Sequence, residues 1–425
     1  HDPIQARQAR TYGKEFLGMN GRFHFSWGDF GGIKTRDQLD YECATIVAAG
    51  GKICVGDQLN PSGRLDRAVY DLIGHTFRHV EALEPWLAGA QPAIEVGVLA
   101  TGPAEKHDPG VAAHSPETEG AAQMLLEMGR QFDVIDPEAD FSRYPALILP
   151  DGTTLDAALQ ARLEAYLTSG GRLILSGTAA LDPVSGVFQL AAVPARYQRP
   201  APTRPSYLRP GAALLNAAPA TPLSAELDAD YDYAFYGQAH IVTAGAGATA
   251  YGDLRSALFN RTWKHFMGHQ HAPAGEPTGG PVAVMSDRVL YFAAPLFAGY
   301  RQYDYWAYRA IAEKLLAAFL PAPLLKPEAP GWVEMDLHTQ MADGTHPQRQ
   351  IVHVVAYHPR RTMQPIVHVD QSALTAGLAF AVRAAAAPQR VYCAPDGEAL
   401  AFDYRDSYIH VTLPPVGSHA VVVLE

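Results

Sequence analysis

The sequence predicts an α/β fold in three successive parts, and three observations predict it. Residues 22–87 twice pair a short apolar run with a stretch of helical periodicity. From Ala93 to about Leu320, strand-like and helical runs keep alternating, the signature of a doubly wound parallel sheet. After Trp332 only short alternating runs separated by turn residues remain, which reads as an antiparallel β-sandwich. At 425 residues the chain is too long for one ordinary core, and the expected parts are 1–90, 91–325 and 326–425. Hydrophobic residues at 48% and charged residues at 18% describe a folded chain rather than a disordered one.

The first part opens with a strand over residues 22–27 and a helix started by Thr35, with Gln38 three residues on as in a capping box. Leu39, Cys43, Ile46 and Val47 fall on one face of that helix, and Gly50-Gly51 ends it. "KICVG" (52–56) is a short buried-type strand, and a second helix runs from about Arg64 to Trp86. Two β/α units do not stand alone, because a TIM barrel needs eight of them. Either the chain begins late in such a barrel, or these units join another sheet.

The middle part reads as a flavodoxin- or amidotransferase-like α/β domain. It opens with the strand 93–102, followed by a helix near 117–130, strands "FDVID" and "PALILP", a helix over 154–167 and the strand "RLILSG". A Pro-rich excursion comes next, then "HIVTAG", "PVAVMS" and "VLYFAAP" as further strands of the sheet and one closing helix over 303–320. "LPAPLLKPEAPG" reads as a linker. The sandwich strands begin with "WVEMDLHTQ" and "QIVHVVAYH" and end with "SHAVVVLE".

A formal net charge of -11 argues against a nucleic-acid or anionic-membrane partner, since either recruits clustered Lys and Arg. No apolar stretch is long enough to span a membrane. Three scattered cysteines form neither a disulfide framework nor a zinc motif and lean toward a cytoplasmic setting, and "HDPIQARQAR" reads as a cut start with no signal core. No Gly-rich phosphate loop follows a strand, and the turn after "PALILP" reads "DGTT" where an amidotransferase needs a cysteine. The middle part is therefore expected to be catalytically silent, and no cofactor is called for.

Loops leaving the C-terminal ends of barrel strands build the active face. That rule selects Trp27 and Asp29 after the first strand, and Asp57 and Gln58 after the second. A ring platform beside carboxylate and amide groups suits a sugar, and a glycosidase needs two carboxyls flanking the bond. The plainer readings stand beside these: Asp57 making an Asx-turn, Trp27 lying in the core. "FNRTWKHFMGHQHAP" holds His265, His269 and His271; the first two would share a helix face, but no cysteine or glutamate completes a metal set, so no metal is expected.

Five stretches, "RFHFSWGDFGGIKTRDQLDYECATIVAAGGKICVGDQLNPSGRLD", "RLEAYLTSGGRLILSG", "FNRTWKHFMGHQHAP", "VHVVAYHPRR" and "GSHAVVVLE", carry a resemblance to glycoside hydrolases related to α-L-fucosidases. The chain resembles the bacterial family 151, which pairs a fucosidase-like barrel with a domain similar to the trimerisation domain of family 42 β-galactosidases. The first stretch is also similar to the last two barrel units of family 29. The resemblance implies that the chain is the C-terminal portion of a retaining exo-glycosidase acting on terminal sugars, with its first part the end of a TIM barrel. It implies an aspartate nucleophile on an upstream barrel segment missing from this chain, Asp29 as candidate acid/base, and Trp27, Asp57, Gln58, His269 and His271 as substrate contacts. It also implies a homo-oligomer. The alternative is a non-catalytic oligomerisation or carbohydrate-binding module.

Overall fold

The computed structural model describes residues 3–100, 114–356 and 368–425. Two compact units form: His1–Ile94 with Leu125–Asp133 and Pro323–Glu425, and Glu95–Met124 with Val134–Ala322. The last residues of the expected strands 93–102 and 350–358 lie outside the described residues.

The first unit starts with α1 (Pro3–Ala9), β1 (Leu17–Gly21), α2 (Arg36–Ala48), β2 (Lys52–Gly56), α3 (Arg67–Leu87) and β3 (Gln91–Pro92). Thr35 caps α2 as expected, its hydroxyl accepting the Gln38 N–H at 3.1 Å. Only half a capping box forms, because the Gln38 amide turns to Glu42 and to the Val369 N–H instead. Gly50, at φ +88°, then reverses the chain in the left-handed region that favours glycine. β1 and β2 pair in parallel from Leu17↔Lys52 to Gly21↔Gly56. The strand expected over 22–27 is thus a loop, and the true strand lies just before it. The alternation that suggested a strand comes from Phe23 and Trp27, which pack edge to face at 5.3 Å within the loop. The real strand escapes notice because its helix-facing side is small and polar: Gly18 lies against Ile46, and Asn20 meets Cys43.

The second unit carries β4 (Val96–Leu99), α4 (Pro116–Glu127), β5 (Phe132–Ile135), β6 (Ala146–Leu149), α5 (Ala157–Thr168) and β7 (Arg172–Ser176), with α4 and β5 each divided between the units. These strands are buried on both faces, which is why they read as continuous apolar runs. There follow β8 (Ala195–Pro200), β9 (Ser206–Arg209), α6 (Gly211–Leu215), β10 (Tyr233–Phe235), β11 (His240–Ala244), β12 (Thr249–Tyr251), β13 (Asp253–Ala257), β14 (Ala274–Pro277), β15 (Ala283–Met285), β16 (Val289–Phe292), α7 (Leu296–Tyr303) and α8 (Trp306–Phe319). The main sheet has the order β12-β15-β16-β7-β6-β4-β5, with β4, β6, β7 and β16 parallel. "HIVTAG" does not join it. As β11 it pairs with β8 across a bulge in a separate two-stranded ribbon. The closing helix expected over 303–320 is α8, and the helix α7 precedes it, ending where Asp304 adopts a left-handed conformation at φ 45°.

Gly120 of α4 lets that helix lie directly on the backbone of α7: a Cβ there would fall 2.0 Å from the Phe297 carbonyl oxygen. Backbone cannot swing aside as a side chain does, so Gly120→Ala is expected to cost about 2–4 kcal/mol, in the range of other overpacking and strain defects. Urea unfolding would show this as a lower midpoint at unchanged slope.

The remaining strands are β17 (Leu325–Glu328), β18 (Val333–Gln340), β19 (Arg349–Ala356), β20 (Ala379–Arg383), β21 (Val391–Ala394), β22 (Glu398–Ala399), β23 (Phe402–Arg405), β24 (Tyr408–Thr412) and β25 (His419–Leu424). They form two antiparallel sheets, β17-β20-β24-β23 and β22-β21-β25-β19-β18-β3. Leu325, Val352, Val354, Phe380, Ile409 and Val422 fill the space between them. The stretch read as a linker is therefore partly the edge strand β17, whose Pro327 is tolerated at an edge. The second face of the six-stranded sheet packs against the β/α units, with Val355 on Ala44 and Ala48 of α2, and Ile351 and Val423 on Leu83 of α3.

Candidate functional site

Because β1 and β2 end level at Gly21 and Gly56, the loops that follow them lie side by side. The Arg22 N–H closes the step by donating to the Gly56 carbonyl at 3.0 Å. The Arg22 side chain, 3% exposed, then holds both loops. Its Nε donates to Asp57 Oδ1 at 2.9 Å, and its Nη1 donates to the carbonyls of Asp29, Phe30 and Gly32 at 3.3, 3.1 and 3.0 Å. The guanidinium also lies over the Phe23 ring, 4.1 Å from its centre. A planar fork of donors serves this purpose and an ammonium does not. Arg22 is the residue the sequence reading missed; its only signal was an arginine at a strand end, level with an aspartate one strand away.

Trp27 stands on this frame. Its ring is 56% exposed, so it is not a core residue, and its Nε1–H donates to Gln58 Oε1 at 3.0 Å. The ring rests on Gly56, where a Cβ would come within 2.6 Å of it. Gln58 thereby fixes the edge of the indole while its face stays open. Asp29 is half-buried and turns its Oδ1 onto the Gly32 N–H at 3.2 Å. Asp57 accepts from Arg22 and from the Gln58 N–H at 2.8 Å, so it holds the turn together as well as bordering the rim. Trp27, Asp29, Asp57 and Gln58 thus come together in one cluster.

His269 and His271 belong to the second unit, on the irregular segment between β13 and β14. That segment is not helical, so the spacing of His265 and His269 places them on no common face. His269 is exposed, and its carbonyl accepts from Arg261 at 3.1 Å. His271 is half-buried against Tyr236, with ring centres 5.8 Å apart. Trp263 on the same segment is 86% exposed. Among the described residues no three His, Cys, Asp or Glu side chains converge as a metal set, and no helix is long and apolar enough to cross a membrane. Where the middle part has its "DGTT" turn, Asp151 is buried, bonded to the Ser176 hydroxyl and accepting the Ala298 N–H at 2.7 Å. Burial pushes its carboxyl up to about 7.

A family model described as the β-galactosidase trimerisation domain matches residues 123–197. Among solved structures, α-L-fucosidase isoenzyme 2 from Paenibacillus thiaminolyticus aligns with 100% of this chain and 62% of its own, at 30% identity and a TM-score of 0.89. A β-galactosidase from Rahnella sp. R3 aligns with 99% of this chain and 56% of its own, at 13% identity and a TM-score of 0.59. One from Bacillus circulans sp. alkalophilus aligns with 100% of this chain and 57% of its own, at 13% identity and a TM-score of 0.61. At that identity the two β-galactosidases show a shared fold alone. The chain spans less than two thirds of each of these proteins. No curated protein matches it. The resemblance to fucosidase-like and family 42 proteins read from the sequence is met on both counts.

Proposed function

We propose that the chain is the C-terminal portion of a glycoside hydrolase, a retaining α-L-fucosidase-like enzyme that removes terminal sugars. The observation that carries this reading is the 30% identity, over the whole chain, to α-L-fucosidase isoenzyme 2. The rim supports it chemically: an open indole face beside amide and carboxylate groups is what a pyranose with hydroxyls on its edge requires. In this reading β1 and β2 with their helices end a barrel whose other units come from a preceding segment, which also supplies the nucleophile. The β1 face bearing Leu17 and Met19, 65% and 56% exposed, would be part of the barrel's inner wall. Trp27 stacks on the sugar, and Asp29 leaves Gly32 to act as acid/base. Asp57 and Gln58 line the pocket, and His269 and His271 on the second unit would be further carbohydrate contacts. The match to a trimerisation domain supports a homo-oligomer.

A second reading, a non-catalytic oligomerisation or carbohydrate-binding module, draws on the same match. It also draws on a shallow groove of about 360 Å³ beside Glu328, Asp403, Arg405 and His410 on the four-stranded sheet. The full-length protein assayed on a panel of nitrophenyl glycosides separates the two, because no hydrolysis by a folded protein would sink the glycosidase. Within an active protein, Asp29→Asn is expected to lower kcat/KM, which reports the glycosylation step alone, about 10²- to 10⁴-fold on sugars with poor leaving groups, and much less on nitrophenyl substrates, which need no acid in that step. A loss equal on both classes would leave Asp29 as a turn residue only. Trp27→Ala is expected to weaken kcat/KM about tenfold or more through lost ring contact.

A further inference from the structure

The face of the six-stranded sheet covered by α2 and α3 carries a line of imidazoles, His338 on β18, His353 on β19 and His419 on β25, and His79 of α3 meets it. His79 Nε2 lies 3.1 Å from His419 Nδ1, and His419 Nε2 lies 3.2 Å from His353 Nδ1. The His353 and His419 rings stack at 5.4 Å and 10°. His338 stands edge-on to His353 at 5.1 Å and gives its Nε2–H to the Ala48 carbonyl at 2.8 Å. His353 is 0% exposed, and its Nε2 has no partner among the described residues.

We propose that His79, His419 and His353 form a one-way chain of neutral imidazoles that latches α3 to the sandwich and opens as a unit in acid. Each N···N contact holds one proton, so the two contacts run in the same sense. If they ran inward from His79, His353 would carry a buried Nε2–H with no acceptor; run outward, it carries only a bare lone pair. An orphaned buried N–H is the rarer and costlier of the two. Nδ1–H of His353 therefore donates to Nε2 of His419, and Nδ1–H of His419 donates to Nε2 of His79.

That direction makes the latch resist a first proton. One proton added at His79 Nε2 sets N–H against N–H, unless both bonds reverse and each inner ring moves its proton from Nδ1 to Nε2. The reversed chain, one proton richer, ends in the orphaned His353 Nε2–H. Protonating His353 directly creates the same orphan and buries a cation. No singly protonated chain is satisfied while α3 stays docked.

The surroundings do not offset this. His79 faces Asp40 and His75, but Asp40 is already taken by the Thr76 hydroxyl at 2.5 Å and lies 3.4 Å from His75. The charges near His338 are paired, Arg7 with Asp336 and Arg10 with Asp133, each at 2.6 Å. Burial holds His79, His353 and His419 below the ordinary imidazole range, in keeping with neutral rings. Since α3 follows the loop of Asp57 and Gln58, opening the latch loosens one side of the rim; the latch itself does not depend on which sugar, or which reading, holds there.

Nitrogen-15 spectra of histidine-labelled wild-type protein near neutral pH test the direction: Nδ1 is expected to be protonated in His353, His419 and His79. An Nε2-protonated His353 overturns the proposal. On acidification, hydrogen exchange is expected to show α3 amides losing protection in one step with the joint titration of the three rings, at a slope above one proton. Rings that titrate singly while α3 stays protected also overturn it. His419→Leu removes the middle link and one linked ring, so the loss of α3 protection should become shallower by about one proton. An unchanged slope in a folded variant counts against the latch.

Discussion

Arg22→Ala is expected to cost about 3–5 kcal/mol and to free the loop that carries Trp27 and Asp29, because it leaves a buried partner unpaired. The guanidinium is 3% exposed and Asp57 15%. Its removal strands that carboxylate and the three carbonyls of the Asp29–Gly32 turn at once. Lysine restores the charge and not the fork, so Arg22→Lys should recover less than half of the loss. Urea unfolding measures the cost, and Trp27 fluorescence measures the loop. If the proposed glycosidase reading holds, kcat/KM of the full-length protein should fall at least about 10²-fold without any change to a residue proposed to touch the sugar. A cost below about 1 kcal/mol would show that the loops hold their form without this hub.

Acid and base are expected to weaken the two units in opposite directions. His338, held down to about 4, and His419, held down to about 3, are neutral when folded, as is His353. Desolvation is the main cause for all three, so the unfolded chain binds more protons below pH 6.5. Their stabilising contribution is complete above pH 6.5 and is lost as pH falls toward 4. Each ring contributes up to about 1.4 kcal/mol per pH unit, so three contribute about 4 kcal/mol per unit where all are linked. Asp151 has the reverse sign, since its carboxyl is raised to about 7 by burial. It binds a proton when folded, so its contribution is present below about pH 4 and is lost as pH rises toward 7. Hydrogen exchange resolved by peptide at pH 5 and pH 8 should therefore show β19 and β25 weakening in acid and β6 and β7 weakening in base. Asp151→Asn should flatten the second response and leave the first unchanged. A uniform response of both units, or an unaltered profile in that variant, would contradict these assignments.

Part of this was legible in the residues. Thr35, Gly50 and the run Lys52–Gly56 stood where local chemistry puts a cap, a reversal and a strand. The doubly buried strands β4, β6 and β7 were visible as apolar runs. The failures share one cause, a partner distant in sequence. β1 is a strand because Gly18 fits Ile46 and the backbone pairs with β2, not because its side chains alternate. The Pro-rich run after Leu320 holds a strand because Leu325–Glu328 pairs with Ala379–Arg383. Trp27, Asp29, Asp57 and Gln58 were singled out by a topological rule, while Arg22, which joins their two loops, was not, because the four acceptors of its side chain are set by the fold of those loops.

By itself the sequence determined most of the alternation of elements and the helix ends, since each rests on propensities and contacts within a few residues. Tertiary structure alone decided which strands share a sheet, where the Trp27 ring comes to rest and that four histidines separated by up to 340 positions form one line, with His338 and His353 buried. Strand pairing and the burial of a polar group are properties of neighbours brought together by folding, and no local pattern records which neighbour that will be.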